Sequence, residues 1–318
     1  MWFVAGLLAY AMVVATVGGW LIRRVAWSAH SPMLGVRTWQ VTQASVLLSV
    51  AAAGLLMIGT DPIEPASRSV RTQTATDTSG VTDTVSSTLC LSVVVLSSTL
   101  LLLVGFGVLR AIRRAQRARD LHIDHLTAVA RQNVDLNALV LDHDTAAAYC
   151  LAGSRPTVVL TSAAIALLDD DELRAVIVHE REHMRGRHDV QLAAAAGLRW
   201  ALPLLPLFRW GHDEQARLFE MVADDAAAHD VSRQVVATAM VQMAELAAPE
   251  PALNVGGHHT IHRVHRLLAP GQPLGRIRAI MVVCVLALSI LAPVGVAATP
   301  IFATTGTVDC GIAGPAPH

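Results

Sequence analysis

The chain has 318 residues, of which 53% are hydrophobic and 15% charged, and its mean hydropathy is +0.48. That balance is too apolar for an ordinary soluble domain and identifies an integral membrane protein. The formal net charge is −1, all 24 basic residues being arginine, and the four cysteines form no CxxC pair. A basic nucleic-acid surface, a cysteine metal site and a disulfide framework are therefore not expected.

Three runs without formal charge, residues 2–22, 41–59 and 89–109, are long enough to cross a hydrocarbon core of roughly 30 Å. A fourth, 279–297, is interrupted by Pro293 near its end. The first run lacks a basic leader and is followed by Arg23 and Arg24, which suits a retained span; a cleaved signal ending near Ala15, Gly18 and Gly19 is the alternative. Arg23, Arg24 and Arg37 separate spans one and two, five arginines from Arg110 to Arg119 follow span three, and Arg276 and Arg278 precede span four. The connection 60–88 is Ser/Thr-rich and slightly acidic. The positive-inside rule then places both termini and that connection outside and residues 110–278 in the cytoplasm of a multi-pass plasma-membrane protein. The expected plan is a membrane domain over 1–109, a cytoplasmic domain over 110–278, a fourth span over 279–297 and a short external tail over 298–318.

The cytoplasmic stretch reads as α+β. Residues 111–132 form an Arg-rich helix, and 137–141, 145–151 and 156–161 are short strand candidates with a turn at Gly153-Ser154. A short helix starts at Ser162. Asp169 and Glu172 then have capping-box spacing, Leu173, Val176, Ile177 and Val178 supply an apolar face, and Gly186 is a plausible stop. On this helix lie His179-Glu180-Arg181-Glu182-His183. Positions four apart share a helix face, so two imidazoles can meet a single metal, and Glu180 can reach a water there as general base. An ordinary polar helix face is the bland alternative, but two unligated histidines beside a glutamate would be costly to bury on so apolar a helix. A strand just before this helix could pair with an extended peptide.

Residues 190–208 are apolar but carry Arg199, Pro203 and Pro206. They read either as a membrane-apposed or re-entrant helical hairpin or as a core segment. A third metal ligand is needed, and Glu220 can supply it, with Asp224 one turn later accepting the second ring N–H of a ligand histidine. Asp225 is a rival for that role, and a solvated acidic face is the simpler alternative. Downstream, His258, His259, His262 and His265 flank Arg263 and Arg266 and read as a solvated polar helix. His258, His259 and Tyr149 are secondary candidates to stabilise an oxyanion.

Residues from about 148 to 228 resemble the BlaR/MecR family of membrane metallopeptidases. The similarity runs through Ala148-Tyr149-Cys150-Leu151, Pro156 to Thr161, Leu173 to Val176, His179 to His183 with His188-Asp189, Trp200 to Trp210, and Glu220 to Asp224. HExxH and the later Glu-x-x-x-Asp are shared with HtpX-like and prenyl-protein endopeptidases and by themselves identify only the broader superfamily. The resemblance implies four transmembrane helices with a cytoplasmic α+β zincin-type (gluzincin) domain and one Zn2+ per chain. It implies His179, His183 and Glu220 as ligands, Glu180 as catalytic base and Asp224 as the residue orienting a ligand.

The chain departs from BlaR/MecR receptors, which carry an external penicillin-binding sensor with a Ser-x-x-Lys nucleophile. Here only 298–318 follow the fourth span and no lysine is present, so that sensor is expected to be absent. The lack of lysine also suits a GC-rich bacterial genome, such as an actinobacterial one. The expected function is a membrane-embedded zinc endopeptidase cleaving a cytoplasmic repressor, such as a winged-helix protein, in a cell-wall or antibiotic stress response. Quality control of membrane proteins, as in HtpX-like peptidases, is the alternative, and a membrane scaffold with a vestigial site is a third class. The expected partners are the lipid bilayer and a protein substrate, without direct nucleic-acid binding.

Overall fold

The computed structural model describes residues 2–59, 78–151, 156–247, 253–269, 271 and 274–305. Most of the connection 60–88 and of the tail 298–318, including Cys310, lies outside the described residues. In chain order the first elements are α1 (Trp2–Val13), a π-helical turn (Val14–Gly18), α2 (Gly19–Arg24), α3 (Pro32–Gly59) and α4 (Thr78–Val129). Strands β1 (Arg131–Asn133), β2 (Ala138–Leu141), β3 (Ala148–Leu151) and β4 (Thr157–Thr161) follow. Then come α5 (Ser162–Leu167), α6 (Asp170–Arg185), α7 (His188–Ala201), α8 (Pro206–Asp230), α9 (Arg233–Ala247), α10 (Leu253–Leu268) and α11 (Arg276–Thr305).

Backbone groups in a bilayer have no water to bond, so long apolar runs satisfy them internally as helices. Four such segments are long and apolar enough to cross a membrane: Trp2–Arg24, Pro32–Ile58, Ser87–Leu126 and Arg276–Ala298. The chain divides into two compact units. One comprises residues 1–14, 41–102 and 282–318. In it Val4 and Leu7 of α1 pack on Ala52, Ala53, Leu56 and Met57 of α3, with Cys90, Val93 and Val94 of α4 and Val296 and Ala297 of α11 around them. Small residues let helix backbones approach where no hydrophobic effect drives association. The Tyr10 and Ser45 hydroxyls lie 3.2 Å apart, and Ser45 and Ser49 donate back to the carbonyls of Thr42 and Ser45.

The other unit comprises Ala15–Gln40 and Leu103–Met281. Its sheet has the order β1-β2-β4-β3, with β2 and β4 parallel and the outer pairs antiparallel. Alternation along the strands sends Ala138, Val158 and Leu160 toward Leu173 and Ile177 of α6, and sends Leu139, Leu151 and Val159 toward Ile123 and Leu126 of α4. Each fully buried aliphatic side chain of this kind contributes about 1.5–3 kcal/mol. The sheet thus serves as a floor on which α6 is held.

Two sequence expectations change here, and for a third segment the structure selects one of the two readings offered. The helix expected over 111–132 ends at Val129, and Arg131–Asn133 pair antiparallel with Ala138–Val140 as β1. Asn133 Oδ1 accepts from the Leu136 backbone, and Asn137 takes a positive φ of 47°, which closes the turn into β2. The strand next before the HExxH helix, β4, is paired on both sides, so the free edge on this side of the sheet belongs to β3. Residues 190–208 form a helical hairpin: α7, a turn at 202–205, and α8 opened by Pro206 at its first position, where proline's missing N–H costs nothing. Trp200 and Leu204 at its tip are 53% and 91% exposed. Gly197 lies against α4, where an added Cβ would sit 2.5 Å from the Val108 Cα, so no larger residue fits this crossing.

Candidate metal centre

Helix α6 starts where its sequence says it should. Asp169 caps it, accepting from the Glu172 backbone at 2.8 Å, while the Glu172 carboxylate accepts from the Asp169 backbone at 3.0 Å. Glu172 also accepts from Gln242 at 2.9 Å, which ties α6 to α9. The cap fixes the helix's rotation, with Leu173 and Ile177 down on the sheet and His179 and His183 toward α8. Gly186 ends the helix with an ordinary φ of −76°. Its role is space: a Cβ there would lie 2.3 Å from His188 Nε2. The positive φ expected of a helix stop falls on Arg187 instead, at 50°.

The pairing of α6 with α8 brings His179, His183 and Glu220 together, their donor atoms all within 4.8 Å of one another. His179 Nε2 and His183 Nε2 are 3.2 Å apart, and Glu220 oxygens lie 3.6 Å and 3.5 Å from them. Tetrahedral ligands at about 2.0–2.1 Å from a metal are spaced about 3.3–3.4 Å. Two imidazoles and a carboxylate at that spacing are the donor set of a divalent first-row metal with one position left open, so the residues present fit such an ion.

Both ring tautomers are set from behind. His179 Nδ1 is 3.2 Å from Asp224 Oδ1, so its N–H donates there and Nε2 faces the cluster. His183 Nδ1 is 2.9 Å from His188 Nδ1. If His183 offers Nε2 as a ligand, its Nδ1–H donates to His188, which is buried and stacked on Phe219 with ring centroids 4.2 Å apart. His188 appears in the sequence only as part of the stretch resembling BlaR/MecR; its role as the partner of His183 is visible only in three dimensions. Asp225, the rival for Asp224's place, is instead bound by Arg266 at 2.5 Å.

Arg263 is the residue that sequence reasoning missed. From α10 it donates to both oxygens of the fully buried Asp224, at 2.8 and 2.5 Å, and reaches Glu220 Oε2 at 2.8 Å. Its only sequence signal was its place within the histidine cluster. Burial raises the Asp224 and Glu220 carboxyls, but Arg263 and His179 outweigh it and hold both down at about 2. Burial lowers His179, yet its bonds to Asp224 and Glu220 push it up to about 9. Burial, helped by the neighbouring His179 charge, lowers His183 to about 4, and burial, with the charge of His183, does the same for His188.

Glu180 is half-buried, and its carboxyl is raised above the usual range by desolvation, against the opposing pull of His179 and of a hydrogen bond with Cys150. The Cys150 thiol is pushed up to about 12, first by burial and then by Glu180. A carboxylate whose pKa is raised is a stronger base toward a neighbouring water than an ordinary glutamate. Cys150 therefore faces the cluster, and Tyr149, its neighbour on β3, faces the other way. Tyr149 packs with the α4-facing core, its hydroxyl 3.3 Å from His122 Nε2, and is not brought to the metal cluster. The side chains of His258 and His259 lie outside the described residues.

Two openings border the centre. On the Glu220 side a cleft of about 930 Å3 reaches Trp20, Arg23 and Arg24 at the end of α2. On the His179 and Glu180 side a cavity of about 370 Å3 runs between β3, α6 and α9. Residues 114–280 match the family model described as Peptidase family M48. No curated protein and no solved structure gives a match.

Proposed function

Because the chain belongs to peptidase family M48, a metallopeptidase family, we propose that it is a membrane-embedded zinc endopeptidase, with His179, His183 and Glu220 holding one Zn2+ per chain. The observation that carries this reading is the spacing of three donors, 3.2 to 3.6 Å, beside the half-buried Glu180. When bound there, the metal supplies a Lewis acid that polarises a scissile carbonyl and acidifies water. Glu180 takes the proton of the attacking water as its oxygen bonds to the carbonyl carbon, and returns a proton to the amine as the C–N bond breaks. Asp224 keeps the His179 tautomer that presents Nε2, and Arg263 keeps Asp224 ionised. The free edge of β3 can accept an extended substrate as an added strand.

Arginine asymmetry supports a catalytic domain over 110–278 in the cytoplasm, membrane spans within 1–109 and over 279–297, and both termini outside. The exposed Trp200 and Leu204, with Gly197 against α4 at Val108, support an α7–α8 tip that enters the bilayer. The resemblance to BlaR/MecR peptidases supports a regulatory role, cleavage of a cytoplasmic winged-helix repressor in a cell-wall or antibiotic stress response. One observation favours a second reading, quality control of membrane proteins. The wider cleft joins Glu220 to Trp20, Arg23 and Arg24, residues typical of a membrane interface, so a chain emerging from the bilayer has a route to the centre. Proteomics of cells carrying wild type or Glu180→Gln separates the two. A single stabilised soluble repressor supports the regulatory role, and accumulation of many membrane proteins supports quality control.

A further inference from the structure

The wider cleft begins at the end of α2, and its charges there do not balance. Arg23, Arg24 and Arg217 line it. Glu214 accepts from Arg23 at 2.9 Å and from Arg217 at 3.1 Å, so one carboxylate serves two guanidiniums. The other carboxylates of the lining are already engaged, Asp213 by Arg199 at 2.9 Å and Glu220 by Arg263 at 2.8 Å. Among the described residues Arg24 has no carboxylate partner; its guanidinium lies over the Trp20 ring, 3.6 Å from the centroid. A guanidinium stacked by its flat face keeps the N–H groups of its edge free and its orientation fixed, which suits the oxygens of a phosphate.

The surface leading to Arg24 is apolar. Val17, Trp20 and Leu21 are exposed, and with Arg24 they follow helical spacings of three and four, so they form one stripe that ends in a cation. The segment that carries it, Trp2–Arg24, is long and apolar enough to cross a membrane. Its end is seated closely on α8, where a Cβ on Gly19 would lie 2.8 Å from the Leu207 Cα. Tryptophan and arginine at the end of a span sit at headgroup depth. We propose that the membrane end of this cleft binds an anionic phospholipid. Its phosphate accepts from Arg24, Arg23 and Arg217 supply the surplus positive charge, and an acyl chain lies along Val17, Trp20 and Leu21. The cleft, about 930 Å3 in volume, has room for the headgroup beside Glu214. A lipid fits better than a soluble phosphate because the apolar stripe ends where the excess charge begins, the order of an amphiphile's two halves. The proposal does not rest on the peptidase reading.

The test titrates delipidated full-length protein in neutral detergent with phosphatidylglycerol or phosphatidylcholine and counts bound lipid by native mass spectrometry. Detergent removes the general surface potential of an anionic bilayer, so a preference between the two lipids reports a site. Losing a charge-assisted fork to a phosphate costs on the order of tenfold in affinity. Wild type is therefore expected to hold one phosphatidylglycerol about tenfold more tightly than phosphatidylcholine. Arg24 is exposed, so Arg24→Gln leaves the packing intact and should abolish that preference, while Arg24→Lys should keep part of it. Arg276→Gln, exposed at the start of another span and outside the cleft, should leave it unchanged. Inorganic phosphate in large excess should not displace the lipid, having no acyl chain for the stripe. Displacement by phosphate would show a soluble-anion site and overturn the lipid assignment. Equal binding of the two lipids to wild type, or equal losses in Arg24→Gln and Arg276→Gln, would overturn the site itself.

Discussion

Replacing Arg263 by leucine removes the cation that holds two carboxylates of the centre in their ionised form. Asp224 is fully buried, and its two oxygens take the Arg263 fork at 2.8 and 2.5 Å while Glu220 takes a third N–H at 2.8 Å. Removing one partner of a buried ion pair typically costs about 3–5 kcal/mol, because the other charge stays buried without compensation. Against a domain stability of about 5–15 kcal/mol that is a large share. At about 2–4 °C per kcal/mol for a domain of this size, the melting temperature should fall on the order of 10 °C. The assay is thermal unfolding of the full-length protein in detergent with chelator present, so that metal binding does not enter. Removing the charge of the partner as well should recover part of the loss, so Arg263→Leu with Asp224→Asn should be less destabilised than the sum of the single variants. A loss below about 1 kcal/mol, or strict additivity, would refute the claim that Arg263 holds the carboxylates in place.

Acid should act on the same pair: Asp224 and Glu220 are held at about 2, below their usual values of 3.8 and 4.5. Their contribution to stability is complete above the unfolded values and drains as pH falls toward 2. Arg263→Leu should therefore move the acid-unfolding midpoint of the chelated protein to higher pH, and an unchanged midpoint would contradict this. Asp224→Asn should weaken zinc affinity or peptide cleavage about ten- to a hundred-fold, checked by metal titration; wild-type affinity together with wild-type activity would remove its orienting role. In a cysteine-free background, a cysteine at Ser79 should react with a membrane-impermeant thiol reagent in intact cells. One at Val134, 82% exposed in the β1–β2 turn, should react only after permeabilisation, and labelling of Val134 without permeabilisation would place the catalytic domain outside.

What could be read from the sequence was local. Asp169 with Glu172 and His179 with His183 are spacings of three and four on a single helix, and both become contacts because helix geometry leaves little choice. Glu220 and Asp224 follow the same rule on α8, and the four helices long and apolar enough to cross a membrane needed only length and hydropathy. What escaped depends on tertiary packing. Arg263 meets Asp224 across 39 residues, and no periodicity marks such a pair. Whether Cys150 or Tyr149 faces the centre follows from strand parity only once it is known which face of β3 meets α6. Strand β1 is three polar residues long and carries no alternation, so its existence rests on pairing with β2 alone. Gly186 does end α6, as its place after Arg185 predicts, but the close approach of His188 that leaves no room for a side chain there is visible only in three dimensions.

The central claim is that three residues hold a metal and a fourth does the proton transfer, and those roles separate in one comparison. Zinc content and peptide cleavage are measured together for purified wild type, Glu180→Gln, and the alanine variants of His179, His183 and Glu220. The expected result is one zinc per chain in wild type and in Glu180→Gln, with cleavage lower by about a hundred- to ten-thousand-fold in the latter, and loss of zinc in the three alanine variants. Full activity in Glu180→Gln, or unchanged zinc in all three alanine variants, would contradict it.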